Sequence, residues 1–318
     1  MLVLGPEQTA EALPFAALIE AIAAMFGGDC IMPVRHHHGV AVPGLADATL
    51  LLMPAWVAGA YIGLKLVSVF PDNYKQGLPA IHGSYLLSSG RTGEMLAVVD
   101  GGELTARRTA AASALAARYL ARDDAEAMLV VGTGRLSLNL IQAHATTRPL
   151  KRFQVWGRSL ANAEKTAEAA RAMGFDTVAC TDIEAAARHA DVISCATLSE
   201  NPLIRGAWLK PGAHLDLIGA FKPSMRESDD EAVRRADIYV DTREGALAEA
   251  GDIVQPLMSG VIAETDIRGS LAELVSGAVA GRRSADSITL FKSVGAALED
   301  LAGAILAYET VSGPRKAG

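Results

Sequence analysis

The residues best suited to chemistry sit in Ala127-Met-Leu-Val-Val-Gly-Thr-Gly-Arg-Leu-Ser137, where an apolar run breaks into Gly132-x-Gly134 and resumes with helical spacing. Glycine at 132 permits a sharp turn, and glycine at 134 lets the backbone approach an anion with no Cβ in the way. A helix opening at Arg135-Leu136 adds unpaired N–H groups and the positive end of its dipole. Strand, turn and helix together predict a dinucleotide pyrophosphate held on Gly132, Thr133, Gly134, Arg135 and Leu136. Ser137 fills the third small position of the pattern, small enough for close packing though not a strict match. About twenty residues on, where such folds hold the ribose 2′-hydroxyl with an acid, the chain reads Val155-Trp-Gly-Arg158-Ser159. A guanidinium fork and a hydroxyl suit a 2′-phosphate, so NADPH is the expected cofactor, with NADH possible. The alternative is a solvated loop arginine and a mixed preference.

The elements that must position these residues follow from periodicity. Alternating segments from 127 to 240 predict strands at 127–131, 153–156, 176–180, 191–195, 213–218 and 237–240, with helices at 135–146, 160–172, 182–188 and 227–234. That alternation calls for a doubly wound parallel sheet, a Rossmann domain over 122–290. Before it, a helix is expected over 6–26, strands near 46–53, 61–70, 83–90 and 94–99 with a hairpin turn at Ser88–Gly93, and a helix over 104–121. A long helix after about 290 is expected to return to the N-terminal part. The fold class is thus α/β, with a discontinuous α+β substrate and dimerisation domain from 1–121 and 291–318.

Length and composition set bounds on the rest. A chain of 318 residues, half of them hydrophobic, can build two cores. Its net charge of −7 comes with interspersed signs and no basic block, which argues against nucleic acid or an anionic membrane as partner. No apolar run approaches the ~20 residues of a membrane helix, and the start of the chain lacks a signal-peptide pattern. Cys30, Cys180 and Cys195 are widely spaced and odd in number, as in a reducing compartment, so a cytoplasmic protein with buried thiols is expected.

Several separated motifs carry a family resemblance. Met53-Pro54, Gly63-Leu-Lys65-Leu-Val, Leu104-Thr105-Ala-Arg-Arg108-Thr109, the Gly132 turn, Val155-Trp-Gly-Arg158-Ser, Ser194-Cys-Ala-Thr197, Leu209-Lys-Pro-Gly-Ala-His214, Arg226-Glu227, Tyr239-Val-Asp241 and Leu290-Phe-Lys-Ser293 follow one another in family order. Together they resemble the ornithine cyclodeaminase/μ-crystallin family of nicotinamide-dependent enzymes. The resemblance implies that Arg35 and Lys65 bind the substrate carboxylate; Lys65 is further expected to tune the protonation of the imine. It implies that Arg108 and Thr109 contact the cofactor phosphates, that Thr197 and Ser293 lie near the nicotinamide, and that the chain forms a homodimer through its substrate domain. Arg107 is expected at the surface.

One departure matters. At the position of Phe221, the cyclodeaminases resemble one another in carrying an Asp that acts as acid and base, and a phenyl ring transfers no proton. Ornithine cyclodeamination is therefore disfavoured. What remains implies a small carboxylate-bearing cyclic imine as substrate, Δ1-pyrroline-2-carboxylate or Δ1-piperideine-2-carboxylate, reduced by hydride to L-proline or L-pipecolate. The rivals are an alanine-type dehydrogenase and a non-catalytic NADPH-dependent binding protein. His36-His37-His38 invites a metal reading, but neighbours on a strand alternate faces and no other ligands stand nearby, so no metal is expected. His82 is either a polar turn residue or close to the site.

Overall fold

A computed structural model describes residues 1–313. The chain forms two compact units, Met1–Arg108 with the chain from Ala297, and Thr109–Ala296. The divisions therefore fall at 108/109 and 296/297, the first of them inside a helix, where the sequence places them at 121/122 and 290/291. The first unit contains β1 (Leu2–Leu4), α1 (Pro6–Ala12), α2 (Phe15–Phe26), β2 (Cys30–Ile31), β3 (His36–Val40), β4 (Ala48–Val57), β5 (Tyr61–Val69), β6 (Ile81–Ser89), β7 (Met95–Asp100) and the start of α3 (Gly101–Leu120). The second continues with β8 (Ala127–Val131), α4 (Leu136–Ala145), β9 (Arg152–Trp156), α5 (Leu160–Ala172), β10 (Thr177–Cys180), α6 (Ile183–His189), β11 (Val192–Cys195) and β12 (His214–Leu217). It ends with α7 (Asp230–Arg235), β13 (Asp237–Val240), α8 (Arg243–Glu249), α9 (Gly251–Met258), β14 (Ile267–Ser270), α10 (Leu271–Val275) and β15 (Thr289–Lys292), before α11 (Ala297–Ser312) returns to the first unit.

The helix expected over 6–26 is two helices bent by 76°. Pro14 is the cause: it has no N–H to donate and pushes Leu13 out of helical geometry, to φ −120° and ψ 60°. Among the described residues no single helix is long and apolar enough to cross a membrane.

In the first unit the sheet runs β1-β7-β6-β5-β4-β2, with β3 also on β4; β1 is parallel to β7 and the other pairs are antiparallel. Alternation on β5 sends Tyr61, Gly63 and Lys65 inward, and α11 packs against β4, β5 and β6. Met53, Lys65, Tyr85 and Val99 are register partners across four strands, all buried. A lysine in such a row needs an acid on the covering helix.

The second unit's sheet is wholly parallel, in the order β10-β9-β8-β11-β12-β15-β13-β14. Its first five strands reproduce the dinucleotide order, and the order reverses between β8 and β11, where ligands bind beyond the strand ends. Strand β15 was unforeseen: Phe291, expected in a return segment, lies in a fully buried strand wedged between β12 and β13. Helices α8 to α10 and strand β14 were also absent from the sequence reading. Of the cysteines only Cys195 is buried; Cys30 and Cys180 are half-buried, contrary to expectation.

Candidate active site

At the end of β8, Gly132 adopts φ +128° and donates its N–H to Trp156 O at 2.8 Å. A Cβ there would lie 2.8 Å from Ala196 O, so both the conformation and the crowding demand glycine. Gly134 is the opposite case: a Cβ would meet nothing within 4 Å. Helix α4 then opens without any side-chain cap, leaving its first N–H groups for a ligand. Ser137 packs close, its hydroxyl donating to Gly132 O at 2.9 Å.

These groups border a groove of about 590 Å³ whose lining includes Thr133, Gly134, Arg158, Ser159 and Thr197. The expected residues Gly132, Thr133, Gly134, Arg158, Ser159 and Thr197 are thus brought together in one unit. Arg135 is the N-cap residue of α4 and Leu136 its first residue. Arg158 is exposed in the groove, while the Ser159 hydroxyl oxygen caps α5 by accepting from Asn162 N at 3.4 Å. The groove, the open Gly134 and the uncapped helix suit a dinucleotide. A larger hollow of about 850 Å³ lies beside β9, β10 and α6, but it has no glycine turn and no buried charge.

Thr197, in the groove lining, is held by an acid to which the sequence assigns no role and which does not itself line the groove. Glu227, fully buried, accepts from Thr197 N at 2.7 Å, Thr197 Oγ1 at 2.8 Å, Gly219 N at 2.8 Å and Ala220 N at 3.2 Å. Beneath it Asp252 accepts from Glu227 N at 2.8 Å, Ser228 N at 3.1 Å and Lys292 Nζ at 3.2 Å. Burial, reinforced by the charge of Asp252, pushes the Glu227 carboxyl up to about 7 against the pull of Lys292 and Thr197. Ser293 is buried and donates to Asp241 Oδ2 at 2.9 Å, within a turn whose Val294 and Gly295 N–H groups bond the same oxygen.

The first unit holds a second buried cluster. Lys65 Nζ donates to both oxygens of Asp300, at 3.0 and 3.2 Å, Arg108 Nε donates to Asp300 Oδ1 at 3.0 Å, and Arg108 Nη1 donates to Glu299 at 2.7 Å. All four side chains are at most 6 % exposed. Burial lowers Lys65 to about 8; Asp300 opposes this and Arg108 adds to it. Burial alone would raise Asp300, but Arg108 and Lys65 hold it below its usual range.

Arg108, expected beside the cofactor phosphates, is therefore engaged with Lys65 by one carboxylate. Thr109 is half-buried, next along α3. Arg35 lies half-buried between β2 and β3. Arg107 corrects another expectation: it stacks on Phe15 at 4.5 Å and donates to Leu13 O at 2.9 Å instead of lying at the surface. His36, His37 and His38 are all exposed on β3, His82 is exposed on β6, and no group of three metal-ligating side chains occurs among the described residues.

Comparison with known proteins adds to this geometry. The profile of the "Ornithine cyclodeaminase/mu-crystallin family" matches residues 13–315. A Δ1-pyrroline-2-carboxylate reductase of Paracoccus denitrificans is 36% identical over 295 residues, covering 90% of this chain and 93% of the relative. Among solved structures, Thermococcus litoralis Δ1-pyrroline-2-carboxylate reductase in complex with NADH and L-proline superposes with a TM-score of 0.90 at 34% identity, covering 98% of this chain and 97% of that one. An archaeal alanine dehydrogenase dimer with bound NAD gives 0.89 at 30% identity, covering 98% and 96%.

Proposed function

Because the chain belongs to the ornithine cyclodeaminase/mu-crystallin family, we propose that it is an oxidoreductase that uses a nicotinamide dinucleotide to reduce the C=N bond of a small cyclic ketimine carboxylate. Δ1-Pyrroline-2-carboxylate and Δ1-piperideine-2-carboxylate are the substrates, and NADPH is the preferred reductant. The observation that carries this reading is the buried pair of cations, Lys65 and Arg108, sharing Asp300.

Two cations fixed by acids on one helix present a preset anchor for a small carboxylate, and orientation of this kind supplies a large share of a rate enhancement. Lys65, lowered to about 8 by burial, can hold or release a proton near neutral pH, the property wanted beside an imine nitrogen. Arg108 joins Lys65 as a carboxylate ligand in this reading, and Arg35 completes the set. In the second unit Gly132, Thr133, Gly134 and the open end of α4 hold the pyrophosphate, and Arg158 with Ser159 holds a 2′-phosphate. The bound nicotinamide supplies the hydride. Phe221, 40 % exposed just beyond β12, offers no proton-transfer group, which favours reduction over cyclodeamination.

Support for the reductase comes from the relatives named Δ1-pyrroline-2-carboxylate reductase; the dehydrogenase neighbour keeps an open-chain rival in view. Ammonia separates the two: ketimine reduction proceeds without it, whereas pyruvate-dependent oxidation of NADPH that requires ammonia would favour the rival. We further propose a cytoplasmic homodimer built on the outer face of the first sheet. That face carries Leu52, Pro54, Trp56, Ile62, Leu64 and Leu66 between strands, none of them fully buried. Sedimentation should give a dimer for the native chain, and Leu64→Glu should shift it to monomer; a native monomer would contradict the proposal.

A further inference from the structure

One side chain ties the Thr197 loop, which lines the groove, to the neighbouring loop after β12. Gly132 at the end of β8, Thr197 just after β11 and Gly219 just after β12 stack in succession. A Cβ on Gly132 would lie 3.6 Å from Thr197 Cγ2, and one on Gly219 would lie 2.1 Å from Thr197 O and 2.2 Å from Thr197 N. No side chain fits between the Gly219 and Thr197 backbones. Their ends carry N–H groups that lie beyond the strand ladder and need acceptors.

Glu227 supplies those acceptors on both sides. Its Oε1 takes the Thr197 N–H and hydroxyl, and its Oε2 takes the Gly219 and Ala220 N–H groups. The main chain of the same segment grips the other end of the loop: Arg226 N donates to Ser199 O at 2.7 Å, and Leu203 N and Ile204 N donate to Glu227 O at 2.8 and 3.0 Å. Asp252 and Lys292, both fully buried, hold this segment from beneath. Both the N–H and the hydroxyl of Thr197 are thus held on one carboxylate oxygen.

We propose that Glu227 is a positioning residue for the hydride-transfer reaction: it clips the ends of β11 and β12 together and thereby fixes the surface on which the nicotinamide end of the cofactor lies. This inference rests on the dinucleotide reading of the groove and names a residue the family motif leaves without a role. Glu227 acts through Thr197, Gly219 and Ala220, not by touching the reacting atoms. The pyrophosphate end, built on Gly132, Gly134 and α4, makes no bond to it and should be unaffected by its loss.

Glu227→Gln keeps the shape but turns one acceptor into a donor facing N–H groups. Two measurements on the full-length variant test the clip. In the ligand-free protein, hydrogen exchange at the Thr197, Gly219 and Ala220 amides should accelerate about tenfold or more, matching the loss of a hydrogen bond to a charged group, while the Gly132 amide is unchanged. With cofactor, kcat should fall about tenfold with less than about a threefold change in NADPH affinity, since interactions lost only at the reacting end lower kcat and not binding. Exchange within twofold of the native protein at all three amides, or a uniform acceleration that includes Gly132, would overturn the proposal, as would an unchanged kcat. Should Glu227→Gln fail to fold, Thr197→Val removes only the hydroxyl arm and should show the same pattern at reduced size. If the native protein neither binds nor oxidises NADPH, the functional reading fails, and the exchange data still decide whether the clip exists.

Discussion

Two of the buried charge clusters, around Lys65 and around Glu227, differ in their balance. Lys65, Arg108, Glu299 and Asp300 contribute two charges of each sign, on regular elements β5, α3 and α11. Glu227, Asp252 and Lys292 contribute two acids and one base, and their acids mostly accept backbone N–H groups from loops. Burial drives the main shift in each: it lowers the lysine of the first to about 8 and raises the glutamate of the second to about 7, where the unbalanced charge of Asp252 adds to it. The first cluster is built from side chains paired across regular elements. The second is built into the main chain and fixes geometry.

The sharpest test of that contrast makes one substitution in each cluster. Asp300→Asn leaves two buried cations facing one acid, and breaking a buried pair in this way costs about 3–5 kcal/mol. Asp252→Asn keeps an oxygen for the Glu227 and Ser228 N–H groups and gives up the Lys292 contact at 3.2 Å, but leaves one acid, Glu227, to one base, Lys292. Its cost in urea unfolding should be well under half as large. Equal costs would refute the role given to charge balance.

Next in size is Lys65→Met, which should lower ketimine turnover by about 100-fold or more, the usual contribution of a positioned acid or base. Normal turnover would remove Lys65 from the chemistry. In the native enzyme kcat/KM should fall as pH rises through about 8, where Lys65 loses its proton.

The stability profiles carry opposite signs. Glu227 has a raised folded pKa, so the stability it contributes is complete below its ordinary 4.5 and is lost as pH rises through about 7. Lys65 has a depressed one, so its contribution is present above 10.5 and lost as pH falls through about 8. Unfolding free energies of the native protein, Glu227→Gln and Lys65→Met across that range should separate the two slopes. A native profile unaltered by either substitution would contradict both assignments.

The smallest expected effect belongs to an exposed charge. Arg158→Ala should raise the KM for NADPH about tenfold, as loss of a charge-assisted hydrogen bond does, and leave that for NADH nearly unchanged. Equal effects on both would make Arg158 a solvated loop residue.

Much of the nucleotide-binding unit was legible because its signals are local. The glycine turn, the strands at 127–131 and 237–240 and the helix at 160–172 emerged with their observed bounds. Strand β15 escaped because four residues ending in a lysine, far from β12 and β13 in sequence, carry no period that names their neighbours. The break at Pro14 is legible in the proline itself, which has no N–H to continue a helix. In the site, Lys65 stands out as a cation inside an apolar strand, but its partners Glu299-Asp300 are not singled out by the helical spacing around them. Two adjacent acids within Ala297-Leu-Glu-Asp-Leu-Ala302 are the signal that could have found them, since an apolar helix that buries carboxylates must meet cations. Glu227 lies in irregular chain between β12 and α7, where only the fold brings its four donors together.

The most direct test of the reductase reading is the initial rate of NADPH oxidation by the purified native chain with each cyclic ketimine, beside L-ornithine. Consumption of NADPH with Δ1-pyrroline-2-carboxylate or Δ1-piperideine-2-carboxylate, yielding L-proline or L-pipecolate, with L-ornithine inert, is the predicted result. Conversion of L-ornithine to L-proline, or no oxidation with either ketimine, would contradict it.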